Sequence, residues 1–133
     1  MTVLNVLVVE DDAMIGLLLS EMLTEMGYDV CAVAATEDDA VSDATRYKPG
    51  LMIVDMQLRE GTGVAAMSRI LGSRPMPHVF MTGAPVPIDE VGATVLRKPF
   101  LEPDLARAIK HVVGDIPGPA TPPPGAPQIV GKY

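Results

Sequence analysis

The stretch Val3-Leu4-Asn5-Val6-Leu7-Val8-Val9 runs directly into Glu10-Asp11-Asp12. Only Asn5 interrupts the apolar run, which is rich in valine and ends abruptly in three acids. This pattern predicts a strand covered on both faces, because a half-exposed strand would alternate. Ile15, Leu18, Leu19, Met22 and Met26 then recur at helical spacing, and Gly27 supplies a stop. The same unit repeats along the chain. A second apolar run at Val30–Ala35 leads to a helix start at Thr36, with Asp39 three residues later as a capping-box variant. That helix is expected to reach Tyr47, before Pro49-Gly50. A third run, Leu51–Val54, ends in Asp55, and a short helix is expected over residues 62–71. A fourth run, Val79–Met81, ends in Thr82, and a fifth, Thr94–Leu96, ends in Arg97-Lys98-Pro99. The last helix is expected from Glu102 to Val113, with Leu105, Ile109 and Val112 on one face.

Strands that alternate with helices imply parallel βαβ units and an α/β, doubly wound sheet of five strands. In such sheets ligands sit at the carboxyl ends of the strands. Two segments depart from the alternation. Between Thr82 and Thr94 the chain carries Gly83, Pro85, Pro87 and Gly92, and Ala84 and Val86 each precede a proline. Residues before proline avoid helical dihedrals, so the fourth crossover helix is expected to be short or missing. Residues 114–133 hold six of the thirteen prolines and four of the twelve glycines. They read as a flexible, Pro/Gly-rich tail of spacer type, which sets the domain at residues 1–113.

Composition narrows the function. A chain of 133 residues with 48% hydrophobic content suits one globular domain. The net charge of −7 argues against nucleic-acid binding as the main activity. Residues 1–45 hold ten acids and no Lys or Arg, so one end carries a negative field. A solvated surface and a cation site both fit that asymmetry. The single Cys31 excludes an internal disulfide and a multi-cysteine zinc site. It falls in a strand, where a core role is the simpler reading. No apolar run approaches the roughly 18 to 20 residues of a membrane span. No signal peptide is legible either, so a cytoplasmic protein without membrane insertion is expected. The nine methionines, Met14, Met22, Met26 and Met52 among them, fall mostly in apolar patterns and read as core.

The residues at the strand ends are Glu10 and Asp11, Asp55, Thr82 and Lys98. Carboxylates crowded on one rim repel unless neutralised, and a hard cation such as Mg²⁺ takes oxygen ligands. Asp11 and Asp55, with a backbone carbonyl from the following loop, would serve. Asp55 would also serve as a nucleophile toward phosphorus. Phosphoryl transfer needs donors and positive charge around the transferred oxygens, which Thr82, the Gly83 N–H and Lys98 offer. Each piece alone is also explained by a cap, a turn or a surface lysine. Their occurrence together at successive strand ends favours a metal–phosphoryl site. Gly61-Thr62-Gly63 lacks the third glycine of a dinucleotide loop and reads as a turn. His78 and His111 have no flanking pattern that singles them out.

Four segments carry a resemblance: Val-Val-Glu-Asp-Asp at 8–12, Leu-Met-Ile-Val-Asp at 51–55, Met-Thr-Gly at 81–83 and Lys-Pro-Phe at 98–100. Over residues 3–113 the chain resembles a response-regulator receiver domain of two-component signalling. The resemblance implies a flavodoxin-like sheet of order 2-1-3-4-5. It implies that Asp55 is the phosphoacceptor, that Thr82 is the switch hydroxyl and that Lys98 pairs with the phosphoryl group. It implies Mg²⁺ held by Glu10, Asp11, Asp55 and the backbone carbonyl of Gln57, with Glu10 acting through water. It further implies a cis peptide before Pro99. Two features depart from most of the family. Val95 stands where an aromatic switch residue is usual, and the fourth helix is short or missing. Both resemble the FATGUY subgroup, whose Pro-Phe-Ala-Thr-Gly pattern is approximated by Pro77-His78-Val79-Phe80-Met81-Thr82-Gly83. That likeness implies a single-domain regulator served by a histidine kinase, of the HWE type or a hybrid.

The leading expectation is therefore a signalling receiver, not a metabolic enzyme. It would catalyse its own phosphorylation and dephosphorylation on Asp55. Its output would be an unidentified protein contact, a phosphate sink or a relay, with the loop Gly83–Gly92 carrying the change. The rival from another class is a pseudo-receiver, a phosphorylation-independent binding module. A Mg²⁺-dependent phosphohydrolase is disfavoured, because neither a general acid beside Asp55 nor a cap segment is legible.

Overall fold

The structure, a computed structural model, describes residues 3–84 and 94–114. The elements run β1 (Asn5–Val9), α1 (Ala13–Glu25), β2 (Asp29–Ala34), α2 (Glu37–Tyr47), β3 (Leu51–Asp55), α3 (Gly63–Leu71), β4 (His78–Thr82), β5 (Val95–Arg97) and α4 (Glu102–Val113). The five strands form one parallel sheet of order β2-β1-β3-β4-β5. The crossover expected at 83–92 falls almost wholly outside the described residues, as does the Pro/Gly-rich tail beyond Gly114.

The continuous apolar runs are explained by the sheet having helices on both faces. Leu7, Val9, Met52, Val54 and Phe80 pack with Ala40 and Ala44 of α2 and Ala66, Met67 and Ile70 of α3. Val6, Val8, Ile53, Val79 and Met81 pack with Leu19 and Leu23 of α1 and Leu105 and Ile109 of α4. Neighbouring strand residues thus feed opposite cores, and each buried aliphatic side chain contributes about 1.5–3 kcal/mol of transfer free energy. Cys31 is half-buried at the edge of the first core, its Sγ 3.4 Å from the Val6 carbonyl oxygen. Burial pushes its thiol pKa up, the opposite of an activated nucleophile.

The face expected of α1 is met at Leu19, which is buried, and at Ile15, Met22 and Met26, which pack against the second core, and fails at Met14 and Leu18. Gly16, Leu19 and Leu23 face the sheet, whereas Met14 and Leu18 are 67% and 55% exposed. The apolar residues of α1 nearly surround the helix, so periodicity alone does not select a face. Gly16 does select it, because a Cβ there would meet Val33 Cγ1 at 3.0 Å. The helix lies closest to the sheet where its side chain is smallest.

The helix starts follow local chemistry. The Asp12 side chain accepts from the Met14 and Ile15 amides, Thr36 from Asp39, and Thr62 from Ala65. The register then aligns the strand ends. Val9 pairs with Val54, Asp55 with Met81, and Thr82 with Arg97. Glu10, Asp55, Thr82 and Lys98 consequently leave the sheet at one rim.

Candidate functional site

Lys98 lies at the centre of that rim. Its Nζ donates to Asp55 Oδ2 at 2.7 Å and to Glu10 Oε1 at 2.8 Å. The other oxygen of Glu10 accepts from the Asp12 amide at 3.1 Å, and Asp55 Oδ1 accepts from the Gln57 amide at 3.1 Å. Asp11 Oδ2 accepts from the Arg59 amide at 2.8 Å. Glu10, Asp55 and Thr82 are all buried. The Lys98–Pro99 peptide is cis, as the resemblance implied.

The electrostatics follow from this packing. Burial, aided by the nearby Asp55 charge, raises the Glu10 pKa above its usual value; the bonds from Lys98 and the Asp12 amide only partly oppose it. Burial alone would lower the Lys98 pKa. Its hydrogen bonds to Asp55 and Glu10 outweigh that influence, and the ammonium is held above its usual value.

Glu10, Asp11 and Asp55 each offer a carboxylate oxygen, and these oxygens lie within 4.8 Å of one another. Lys98 compensates one of the three charges. The Arg59 guanidinium, 3.7 Å from Asp11, is 81% exposed and screened by water. An all-oxygen set with uncompensated negative charge fits a hard divalent cation. Asp55, Gln57, Thr82, Gly83, Ala84 and Lys98 line an open concavity of about 350 Å³ beside it. Thr82 Oγ1 accepts from the Ala84 amide at 3.1 Å. The geometry therefore brings together every residue singled out from the sequence: Glu10, Asp11, Asp55, Gln57, Thr82 and Lys98. The two histidines are not part of this cluster. His78 bonds the Met76 carbonyl and meets Phe80 edge-on at 5.2 Å, and His111 lies in the last turn of α4.

Comparison with known proteins agrees with this arrangement. The family model for the response regulator receiver domain matches residues 6–110. The chain belongs to the response-regulator receiver-domain family. Among relatives, it is 35% identical over 115 residues to the transcriptional regulatory protein PdtaR of Mycobacterium tuberculosis, covering 82% of this chain and 56% of that protein. It is 34% identical over 83 residues to the phyllosphere-induced regulator PhyR of Methylorubrum extorquens, covering 61% of this chain and 31% of PhyR. The chain thus spans about half the length of the first relative and less of the second. The receiver domain of PhyR from Erythrobacter litoralis superposes with a TM-score of 0.74 at 29% identity, covering 84% of this chain and 91% of that one. The signal receiver domain of a modulated diguanylate cyclase from Desulfovibrio desulfuricans G20 gives 0.76 at 27% identity, covering 84% and 94%.

Three supporting residues of this receiver domain were missed in the sequence. Gly63 packs against β3 so closely that a Cβ would overlap the Asp55 carbonyl oxygen and lie 2.7 Å from Val54 Cγ1. The Arg59 amide ties the loop after β3 to Asp11. Glu37, at the start of α2, bonds the Thr62 amide from across the fold. No local pattern marks Arg59 or Glu37. Gly63 is marked only as part of the Gly61-Thr62-Gly63 turn, and its steric role depends on the β3 backbone packed against it.

Proposed function

We propose that this receiver domain takes a phosphoryl group onto Asp55 from the phosphohistidine of a histidine kinase and later loses it to water. The observation that carries this reading is Asp55 itself. Its buried carboxylate bonds Lys98 at 2.7 Å and opens onto a concavity that also holds the Thr82 hydroxyl.

In the transfer, a carboxylate oxygen of Asp55 bonds to phosphorus as the P–N bond of the donor breaks. The imidazole leaves with the bonding pair and takes up a proton. Lys98, already 2.7 Å from Asp55, pairs with an oxygen of the arriving group. Thr82 Oγ1 turns from Ala84 toward another phosphoryl oxygen. Gln57 holds the second Asp55 oxygen through its amide, fixing the carboxylate plane. Glu10, Asp11, Asp55 and the Gln57 carbonyl would hold Mg²⁺, which when bound offsets charge on the phosphoryl oxygens. Hydrolysis reverses the bond change, with water attacking phosphorus and the Asp55 carboxylate leaving.

A phosphoryl group of about two negative charges, replacing the single charge of the Asp55 carboxylate beside Lys98 and Thr82, alters the rim, and the altered rim is the signal. Val95 at the usual aromatic switch position points to an output without an aromatic rotamer change. This and the Pro77–Gly83 pattern support the FATGUY-type reading and an HWE-type or hybrid kinase. The name of one similar structure, the anti-anti-sigma factor PhyR of Bartonella quintana, supports an output through protein contact. The absence of a helix long and apolar enough to cross a membrane among the described residues fits a cytoplasmic role. Residues 114–133 are assigned as a spacer.

Beryllofluoride, a mimic of the acyl phosphate, tests the reading. With Mg²⁺ it should form a stable complex and shift the Thr82, Ala84 and Lys98 amide resonances. No complex, with Mg²⁺ binding confirmed, would transfer the reading to a pseudo-receiver that binds partners without phosphate.

A further inference from the structure

The loop between β3 and α3 supplies Gln57 to the site, and two acids outside that loop hold it. One is Asp11, through the Arg59 amide. The other is Glu37, far from the carboxylate cluster in sequence and not part of it. Glu37 meets the loop three times. Its own amide donates to the Glu60 carbonyl at 3.1 Å. Its Oε1 accepts from the Thr62 amide at 3.1 Å. Gly61, with φ at +78°, packs so closely that a Cβ there would overlap the Glu37 side chain. Arg69 of α3 holds the other oxygen, Oε2, at 3.0 Å and also pairs with Asp38.

Thr62 in turn forms an isolated antiparallel bridge with Gln57, and the Gly63 amide donates to the Met56 carbonyl at 2.9 Å. Glu37 thus bonds Thr62, Thr62 stands opposite Gln57 in a bridge closed by the Gly63–Met56 bond, and the Gln57 amide bonds the Asp55 carboxylate. We infer that Glu37 is a positioning residue for the phosphoacceptor site, acting as a latch that sets the Gln57 backbone for the cation. This rests on the functional reading above. Asp11 belongs to the proposed cation set, so its oxygen would be shared when the site is loaded. Glu37 lies outside the set, so its oxygens are not claimed by the cation, and it tethers the Glu60–Thr62 end of the loop.

The latch is a matter of reach rather than charge. Glu37→Gln keeps a carbonyl acceptor of the right length. Glu37→Asp keeps the charge but withdraws it by one methylene. Glu37→Ala removes both, and Arg69→Ala removes the ion pair while leaving the acceptor. The experiment titrates Mg²⁺ into each variant by amide NMR and measures hydrogen exchange at Thr62 and Gln57, with thermal unfolding as the check on folding. Loss of one hydrogen bond of ordinary strength corresponds to about a fivefold to tenfold change. Glu37→Ala and Glu37→Asp should bind Mg²⁺ weaker by that factor and lose protection at both amides. Glu37→Gln and Arg69→Ala should stay within about twofold of the unchanged protein on the same scale. Should Glu37→Ala fail to fold, the contrast between Gln and Asp decides. Unchanged affinity in Glu37→Ala or Glu37→Asp, or a Gln variant as weak as Asp, overturns the inference. No Mg²⁺ binding by the unchanged protein refutes the functional reading first and the latch with it.

Discussion

Lys98→Met removes the ammonium in contact with two buried carboxylates while keeping most of the apolar stem. Nζ bonds Glu10 and Asp55 at 2.8 and 2.7 Å, and those side chains are 1% and 10% exposed. Without Lys98, their oxygens, within 4.8 Å of each other, repel by about 3 kcal/mol at an effective dielectric near 20. Removing one member of a buried ion pair costs about 3–5 kcal/mol, and the 20% exposure of Lys98 places this case at the low end. The expected loss is about 3 kcal/mol at pH 7.5, limited by proton uptake on Glu10. The Glu10 pKa is already raised by burial, and loss of Lys98 raises it further. Acidification toward pH 5.5 should therefore shrink the difference between variant and unchanged protein. Millimolar Mg²⁺ should stabilise the variant more than the unchanged protein, because the cation replaces the missing charge. Urea denaturation at both pH values, with and without Mg²⁺, measures all three effects. Equal stability at pH 7.5, or a penalty that grows on acidification, would refute the reasoning.

Other consequences follow from individual contacts. Gly63→Ala should cost about 3 kcal/mol in urea denaturation, the upper end for overpacking, because its Cβ meets backbone that has no rotamer to escape into. Asp12→Ala should cost about 1 kcal/mol by loss of the α1 cap. The same variant should leave Mg²⁺ affinity almost unchanged, since Asp12 caps a helix and stands outside the three-carboxylate set; a calorimetric titration checks this. In the unchanged protein, Glu10 titrates above its ordinary 4.5, so the folded state holds a proton that the unfolded state has lost. Stability contributed by Glu10 should fall as pH rises from 4.5 through the raised value, and the Glu10 carboxyl carbon shift should locate it. Lys98 behaves in the alkaline range: its stabilisation is complete below 10.5 and is lost as pH rises through its raised value.

The alternation of runs such as Val3–Val9 and Leu51–Val54 with amphipathic segments was enough to read the doubly wound sheet. A strand buried on both faces has few other sequences, and a parallel sheet puts its strand ends on one rim. The site was legible for the same reason. Glu10, Asp11, Asp55, Thr82 and Lys98 each follow an apolar run, so their convergence follows from topology. What stayed hidden depends on packing between distant segments. Met14 and Leu18 read as core because α1 is apolar nearly all round, and only the approach of Gly16 to Val33 chooses its face. Glu37 reads as an ordinary acid in a first helical turn, since nothing near residue 37 reveals a loop at 60–62. Gly63 reads as a turn until the Asp55 carbonyl is placed against it.

The central claim is that Asp55 carries the phosphoryl group. Incubation with Mg²⁺ and a small phosphodonor, followed by intact-mass measurement beside Asp55→Asn, tests it directly. The account predicts one added phosphoryl group on the unchanged protein, none without Mg²⁺ and none on Asp55→Asn. An adduct of equal yield on Asp55→Asn would contradict it.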